Sequence, residues 1–275
     1  MTKHSGLTLG AIAMVTGATS GIGAALTEAL LARGCKVIGA GRNAARLEAM
    51  AARLGEAFHP LVLDITDPEA TAPLPGSLPL AWRDIAILVN NAGHDGGGRE
   101  RFDDCETDAL ASIVETNITG MIRVSKAIIP GALVRGGGDV VNIGSTSGHF
   151  ALAHDAAYVA SKFSINGLTR ALRADYEGMG LRVIEVAPGV TAPDLPRFAI
   201  MARLPAPKNS MSASPRFWKS TTLRERLSSR WNNRPTSHWA KSSCSLLMVG
   251  NRRQVGDSIL TGISHLECLR LADPR

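Results

Sequence analysis

The first two thirds of the chain alternate short apolar runs with longer stretches in which apolar residues recur every three or four positions. The short runs are typical of buried strands, and the longer stretches have the period of amphipathic helices. Strands separated by helices favour right-handed crossovers, which build a parallel sheet with helices on both faces. The predicted strands are Ala11–Val15, Lys36–Ala40, 58–65, Asp84–Asn90, Asp139–Ser145 and 181–189. The predicted helices cover 21–34, 42–55, about Asp108–Val134 and about Tyr158–Gly178.

This alternation stops near residue 192, and the rest of the chain differs in composition and charge. Residues 1–192 carry 16 Lys and Arg against 19 Asp and Glu, a net charge of −3, whereas residues 193–275 carry 14 against 5, a net charge of +9. The segment 216–245 has neither clean helical nor strand periodicity, and its polar, basic composition disfavours a packed core element. We therefore predict one α/β domain over 1–192 and an atypical basic tail over 193–275.

Composition narrows the class of protein further. The longest apolar runs are too short to span a bilayer. The apolar run near the N-terminus leads directly into a glycine-rich turn, which indicates a strand rather than a signal peptide. The four cysteines are scattered and form no metal-binding spacing. We therefore expect reduced thiols, no metal site, a cytoplasmic protein, and neither a membrane nor a nucleic acid as partner.

The stretch TGATSGIG lies between the first predicted strand and the first predicted helix, and it contains Gly17, Gly21 and Gly23. Glycines at these positions permit a tight turn and allow a diphosphate to approach backbone N–H groups at a helix N-terminus. The spacing GxxxGxG differs from the common dinucleotide fingerprint GxGxxG. Because ligands of such sheets bind beyond the carboxyl ends of the strands, the position of this turn predicts nucleotide binding.

The residues that end the next strands indicate which nucleotide would bind. An acidic residue at the end of the second strand would bind the ribose diol of NAD, but Arg42 follows this strand instead. A guanidinium suits a 2′-phosphate and favours NADP, although a solvated Arg that opens a helix is the alternative. Asp64 is placed either to contact an adenine ring or to cap a helix. NNAG (Asn90–Gly93) follows the fourth strand, where small and amide side chains suit the lining of a cofactor cleft.

Tyr158 and Lys162 are four residues apart in the stretch YVASK. On a helix, residues at this spacing share a face and their side chains can meet. A Lys ammonium beside a Tyr hydroxyl favours the phenolate and lowers the pKa of the phenol, which makes the Tyr a usable acid or base near neutral pH. The spacing is also common on amphipathic surface helices, so this motif alone leaves both interpretations open.

Taken together, in this order and at this spacing, the motifs resemble those of the short-chain dehydrogenase/reductase family. The matches are TGxxxGIG at Thr16–Gly23, NNAG at Asn90–Gly93, Asn117 in VETNITG, Ser145 in NIGSTSG, YxxSK at Tyr158–Lys162 and PG at Pro188–Gly189. Within the family, the sequences around these motifs most resemble the NADP-dependent 3-hydroxy acid (serine-type) dehydrogenase branch. The resemblance implies a doubly wound Rossmann-type fold and a homodimer or homotetramer.

The resemblance also implies a reaction and a role for each residue. Hydride transfer would interconvert a small hydroxy acid or alcohol and its carbonyl, with NADP as cofactor. Tyr158 would donate the proton to the carbonyl, and Lys162 would hold the nicotinamide ribose. Ser145 would bind the substrate oxygen, and Asn117 would hold a water that links Lys162 to solvent. The cofactor-binding residues would be Gly17, Thr19, Ser20, Gly21, Ile22, Gly23, Arg42, Asp64, Ile65, Asn91, Ala92, Gly93, Tyr158, Lys162, Pro188 and Gly189.

Two other functions stay open at this point. One is a different short-chain reductase that acts on 3-oxoacyl, sulfonated aldehyde or sugar substrates. The other is a nucleotide-binding protein whose catalysis is impaired by its tail. Three histidines, His94, His149 and His154, are expected near the cleft. They show no ligand spacing for a metal, so we expect them to pack or to shape loops.

The tail itself has an unusual property at the level of codons. When each new codon takes the third base of one codon and the first two bases of the next, WNNRPTSHWAKSSCSLLM from Trp231 can encode EQPPHVTLGEIVVLPTN. That output resembles the closing stretch of the hydroxy acid dehydrogenase branch, including an apolar final strand. We interpret the tail as the product of a frameshift or sequencing error between about Gly189 and Trp231. A genuine basic extension that binds an anionic partner is the alternative.

Overall fold

The computed structural model describes residues 9–97, 100–189 and 246–249. Their strands form one sheet in the order β3-β2-β1-β4-β5-β6-β7. The strands are β1 (Ile12–Thr16), β2 (Lys36–Gly41), β3 (Phe58–Val62), β4 (Ile85–Asn90), β5 (Gly138–Ile143), β6 (Leu181–Pro188) and β7 (Leu246–Val249). The first six are parallel, as predicted, so the carboxyl ends of β1, β4, β5 and β6 meet at one edge of the sheet.

Helices cover both faces of this sheet. In the described part of the chain they are α1 (Gly21–Ala32), α2 (Ala44–Leu54), α3 (Pro68–Thr71), α4 (Thr107–Val114), α5 (Met121–Val134) and α6 (Ala156–Asp175). Short 3₁₀ turns lie at Leu80–Trp82 and Thr146–Gly148. The doubly wound α/β class predicted from the alternation of strands and helices is therefore confirmed.

Every residue of β1 is buried, because helices pack on both sides of it. Side chains of a strand alternate between the two faces. Met14 accordingly packs in one apolar cluster with Val124 of α5, whereas Val15 packs in the opposite cluster with Leu26 of α1 and Leu47 of α2. The apolar run of the first strand thus contributes to two cores, and its carboxyl end is held rigidly at the edge where the motifs collect.

Two predicted elements differ in detail from the structure. The helix predicted over Asp108–Val134 is divided into α4, a π-helical turn at Glu115–Gly120, and α5. The third strand ends at Val62 rather than at residue 65. It stops early because the Asp64 carboxylate accepts hydrogen bonds from the backbone and the hydroxyl of Thr66, which bends the chain into a turn.

The last strand, β7, pairs antiparallel with β6, so that Pro188 lies opposite Leu246 and Glu185 lies opposite Val249. The sequence left the existence of this strand in question, because the segment before it is polar and basic. It forms where the short apolar run LLMV follows that segment. The predicted domain boundary at 192 and the remaining tail lie outside the described residues, so both stay predictions.

Candidate active site

The glycine-rich turn between β1 and α1 is bound to the end of β4. Thr16 Oγ1 accepts hydrogen bonds from the backbone N–H groups of Asn91 (3.0 Å) and Ala92 (3.1 Å). In return, the Asn91 amide donates to the carbonyl oxygens of Thr16 (3.0 Å) and Gly17 (3.1 Å). A Cβ added at Gly23 would lie 2.1 Å from the Gly17 oxygen, so this close approach requires glycine. The fold therefore brings TGATSGIG and NNAG into contact.

The N-terminus of α1 is open toward solvent. Ser20 is its N-cap residue, and among the described residues its side chain makes no capping hydrogen bond. Gly21 has a φ of +51°, and no described atom lies within 4 Å of the position that its Cβ would take. The first N–H groups of a helix have no partner within the helix and attract anions. This turn therefore fits a diphosphate.

The other two residues of the turn have different surroundings. Ile22 packs against the apolar cluster beneath α1. Thr19 leans toward β2, since a Cβ at Gly41 would lie 3.3 Å from its Cγ2. Thr19 and Ile22 therefore lie on either side of the exposed N-terminus of α1.

Arg42 and Asp64 follow the ends of β2 and β3 at the same edge of the sheet. Arg42 is exposed. Burial raises the pKa of the Asp64 carboxyl. The hydrogen bonds from Thr66 and the charge of Arg42 together lower it by more than burial raises it, so the pKa lies below its usual range. Ile65 is buried against the end of the π-helical turn, where a Cβ at Gly120 would lie 2.7 Å from its Cγ1. A positive and a negative side chain thus lie just beyond the ends of β2 and β3.

Tyr158 and Lys162 occupy adjacent turns of α6, as the helical spacing predicted. The Lys162 Nζ lies 5.5 Å from the centroid of the Tyr158 ring. It donates a hydrogen bond to the carbonyl oxygen of Ile143 (3.1 Å) at the end of β5. A Cβ at Gly93 would lie 3.9 Å from the same Nζ and 2.8 Å from Asn117 Oδ1. The amine therefore lies where α6 and the ends of β4 and β5 converge.

The Lys162 side chain is almost fully removed from solvent, with 7 % of the residue exposed. Burial lowers the pKa of its amine, the charge of Glu185 raises it, and the balance leaves the pKa at about 8 instead of 10.5. A pKa shifted by a specific combination of burial and one charge partner is typical of functional sites. Near neutral pH, the protonation of this amine responds to small changes in the surrounding charge.

Asn117 lies in the π-helical turn and is 1 % exposed. Its side-chain oxygen accepts a hydrogen bond from His94 N (2.9 Å), and its amide nitrogen donates to His94 O (2.9 Å) and Ser161 Oγ (3.0 Å). The Ser161 hydroxyl donates to the Tyr158 carbonyl (2.7 Å). The amide therefore joins the segment after NNAG to the turn of α6 that carries Tyr158. Single π turns within helices frequently occur at functional sites.

Ser145 follows β5 and opens the 3₁₀ turn. It is buried, and its hydroxyl accepts a hydrogen bond from Ser147 N (3.1 Å). This turn packs tightly on α6, because a Cβ at Gly148 would lie 2.6 Å from the Lys162 carbonyl oxygen. Pro188 and Gly189 lie at the end of the neighbouring strand β6. Because β5 and β6 are parallel neighbours, these residues belong to the same edge of the sheet.

The sequence prediction missed Glu185, a buried acidic residue of β6 whose charge acts on Lys162. The signal was available, since Glu185 is the one acidic residue inside the apolar run LRVIEVAP. A charge in a buried strand requires a partner. The partners come from other elements, and their positions cannot be read from spacing along the chain.

Neither a metal-binding cluster nor a membrane-spanning helix occurs among the described residues. No group of three or more His, Cys, Asp or Glu side chains in this part of the chain is placed to hold a metal ion. Nor does any helix within the described ranges combine the length and apolarity that crossing a bilayer requires.

The sheet order, the glycine-rich turn and the Tyr–Lys pair define a class of protein that comparison identifies directly. The chain belongs to the short chain dehydrogenase family, whose family model matches residues 11–199. The family resemblance derived from the motifs is therefore confirmed, and its serine-type branch agrees with the serine and 3-hydroxy acid dehydrogenases that match this chain.

Individual relatives are similar over the same region. Serine 3-dehydrogenase of Agrobacterium fabrum is 41% identical over 177 residues, which are 64% of this chain and 70% of that protein. The NADP-dependent 3-hydroxy acid dehydrogenase YdfG of Escherichia coli K12 is 35% identical over 179 residues, covering 65% and 72% of the two chains. The closed form of a serine dehydrogenase complexed with NADP+ superimposes with a TM-score of 0.63 at 35% identity, covering 65% of this chain and 72% of that one.

Proposed function

We propose that this protein is an NADP-dependent oxidoreductase that interconverts a small hydroxy acid, or a related alcohol, and its carbonyl. The observation that carries the proposal is the buried Lys162 amine, which lies 5.5 Å from the Tyr158 ring beside the end of the NNAG segment. The serine and 3-hydroxy acid dehydrogenases among the relatives support this substrate class.

The residues at the sheet edge fit a dinucleotide phosphate cofactor. The open N-terminus of α1, at Ser20 and Gly21, would bind the diphosphate through backbone N–H groups. The exposed Arg42 guanidinium would bind a 2′-phosphate, which distinguishes NADP from NAD. When bound, NADPH would supply the hydride for reduction of the carbonyl, and NADP+ would accept it in oxidation of the alcohol. Asp64, Ile65, Asn91, Ala92 and Gly93, with Pro188 and Gly189, would line the remainder of the cofactor site.

Tyr158 and Lys162 would perform the proton transfer. In reduction, the Tyr158 hydroxyl donates its proton to the carbonyl oxygen as the alcohol forms. The Lys162 ammonium favours the resulting phenolate by charge, and its burial strengthens this attraction because water is excluded. Ser145, at the end of β5, would hold the same substrate oxygen through its hydroxyl and keep it in line with the phenol.

The contacts of Asn117 refine the role that the family resemblance implies for it. Its side-chain oxygen and nitrogen already bind His94 and Ser161. We therefore assign the amide to positioning the π-helical turn. The water that links Lys162 to solvent would instead be bound by the backbone at Asn117, because both polar atoms of its side chain already have partners.

Assembly into a homodimer or homotetramer belongs to the same proposal. The three helices α4, α5 and α6 each expose a large apolar side chain: Val114 (43 %), Ile122 (44 %) and Phe163 (46 %). Exposed apolar residues on neighbouring helices favour association with a second copy. Light scattering during gel filtration measures the assembly directly, and a monomer at micromolar concentration would contradict it.

The activity is tested by following NADP+ reduction with L-serine, 3-hydroxyisobutyrate and 3-hydroxypropionate, and NADPH oxidation with a panel of carbonyls. Turnover of a hydroxy acid supports the proposal. Turnover only of 3-oxoacyl, sulfonated aldehyde or sugar substrates would identify another reductase of the family. Tyr158→Phe should still bind NADPH but lose turnover by about 10³-fold, since general acid–base catalysis contributes on this order. NADPH binding without turnover of any substrate would indicate a catalytically impaired protein.

The tail bears on the same question, since the substrate-covering segment of the family would follow Gly189. Resequencing the gene tests the proposed frameshift between about Gly189 and Trp231. A single frame that agrees with the given protein throughout would exclude it and favour a genuine basic extension.

A further inference from the structure

The Glu185 carboxylate lies in the interior, between the two elements that carry the proposed catalytic residues. It is 1 % exposed and projects from the middle of β6. A Cβ added at Gly144, the residue before Ser145, would lie 2.5 Å from Glu185 Oε1. On its other side, Glu185 Oε2 accepts a hydrogen bond from Asn166 Nδ2 (2.6 Å), one turn of α6 beyond Lys162. One carboxylate therefore contacts both the Ser145 segment and the catalytic helix.

His149 lies at the end of the loop after β5 and is close to this carboxylate. The loop leaves β5 at Ser145, passes through the 3₁₀ turn and returns at His149, whose Nε2 lies 3.4 Å from Glu185 Oε1. Both atoms are buried, and within the described ranges neither makes a hydrogen bond of ordinary geometry. A buried acid and an imidazole in this arrangement need only a small adjustment to form a charge-assisted hydrogen bond. Glu185 Oε1 thus lies beside both ends of the loop that carries Ser145, next to Gly144 at its start and His149 at its end.

The titratable and basic side chains that face Glu185 come from two elements. His149 faces it from the loop after β5, and Lys162 and Arg173 are attracted to it from α6. The Lys162 Nζ donates to the carbonyl of Ile143, which is two residues before Ser145 and adjacent to the Gly144 contact. The negative charge of Glu185 therefore favours the protonated form of the buried Lys162 amine.

We propose, as an inference that rests on the proposed function, that Glu185 is a positioning residue of the reaction. Its carboxylate joins the Ser145 loop to α6 and supplies the negative charge that faces Lys162. His149 is the second positioning residue, because its Nε2 lies 3.4 Å from the same carboxylate on the loop side. A role in packing alone does not require a charge at this position.

The test neutralises the carboxylate while keeping its shape. Glu185→Gln can still accept from Asn166 but carries no charge. Removing a negative charge eases proton loss from Lys162 and from Tyr158 alike, so the basic limb of the kcat/KM profile for carbonyl reduction should move to lower pH by about one unit. Asp139→Asn is the matched control. It neutralises another buried carboxylate, which pairs with Arg182 at the amino end of β5, and should leave the limb unchanged.

A second readout does not depend on turnover. The chain contains only seven lysines, so ¹³Cε-labelled lysine resolves Lys162, whose pKa of about 8 sets it apart. Glu185→Gln should lower this pKa by about one unit, and Asp139→Asn should not change it. An unchanged Lys162 titration in Glu185→Gln overturns the inference. Absence of any carbonyl reduction by the wild-type protein would overturn the proposed function instead, so the two failures are distinguishable.

Glu185→Asp distinguishes the effect of the charge from the effect of side-chain length. It also provides a test if the Gln variant does not fold. It keeps the charge but shortens the side chain by one methylene, which withdraws it from Asn166 or from the loop. We expect an unchanged basic limb and a kcat lowered by about tenfold, since small misplacements of catalytic groups have effects of this order. A Glu185→Asp enzyme with the wild-type kcat would overturn the positioning role.

Discussion

Replacing Lys162 by Met should make the protein more stable while it removes activity. Lys162 is buried, and the pKa of its amine falls from 10.5 to about 8. The folded state therefore disfavours the charged amine, which the unfolded chain keeps up to its higher pKa. Because the unfolded state binds more protons between these two pKa values, wild-type stability rises with pH across this window and the penalty is fully present below pH 8. Methionine has a similar length and no charge to bury.

The magnitude follows from the shift itself. A difference of about 2.5 pKa units corresponds to about 3 kcal/mol at pH 7, and roughly 2 kcal/mol of this should disappear between pH 7 and pH 9.5. Lys162→Met also leaves the Ile143 carbonyl without its hydrogen bond, at a cost of about 1 kcal/mol that does not depend on pH. The variant should thus be more stable than the wild type by about 2 kcal/mol at pH 7, and this advantage should nearly vanish at pH 9.5.

Urea denaturation of both proteins without cofactor, at several pH values in this range, measures the difference. Lys126→Met provides the control, because Lys126 is exposed on α5 and its loss should leave the pH dependence of stability unchanged. Curves for the wild type and Lys162→Met that stay parallel from pH 7 to 9.5 would refute the reasoning, since they would mean that Lys162 has the same pKa in the folded and unfolded states.

Further predictions concern the cofactor site and the catalytic turn. Gly23→Ala places a Cβ 2.1 Å from the Gly17 oxygen, so it should weaken NADPH binding in a fluorescence titration and lower stability by about 1–3 kcal/mol. Gly167→Ala on α6 meets no described atom within 4 Å and should instead stabilise by up to about 1 kcal/mol. Arg42→Ala should weaken NADPH binding by about tenfold or more but hardly change NADH binding, and equal losses for both would contradict the 2′-phosphate role. Asn117→Ala leaves buried polar groups without their partner, so thermal denaturation should show a loss of about 1–3 kcal/mol together with the loss of turnover.

The sequence by itself determined the fold class and the family. The alternation of apolar strands with amphipathic helices specifies a parallel sheet, because each strand must be covered on both faces. Motifs at strand ends could be assigned to one edge, since all parallel strands finish there. The helical spacing of Tyr158 and Lys162 was likewise sufficient to place them on one face of α6.

Only the tertiary structure decided which contacts position the catalytic residues and which charges set the pKa of Lys162. The sequence gives no measure of the distance from Glu185 on β6 to His149 in a loop and Asn166 on a helix, because these contacts join elements that are far apart along the chain. The π-helical turn that carries Asn117 shares the apolar period of the helices around it, so no pattern marked it. The pKa of Lys162 depends on burial and on the charge of Glu185, and both arise only when the strands and helices pack together.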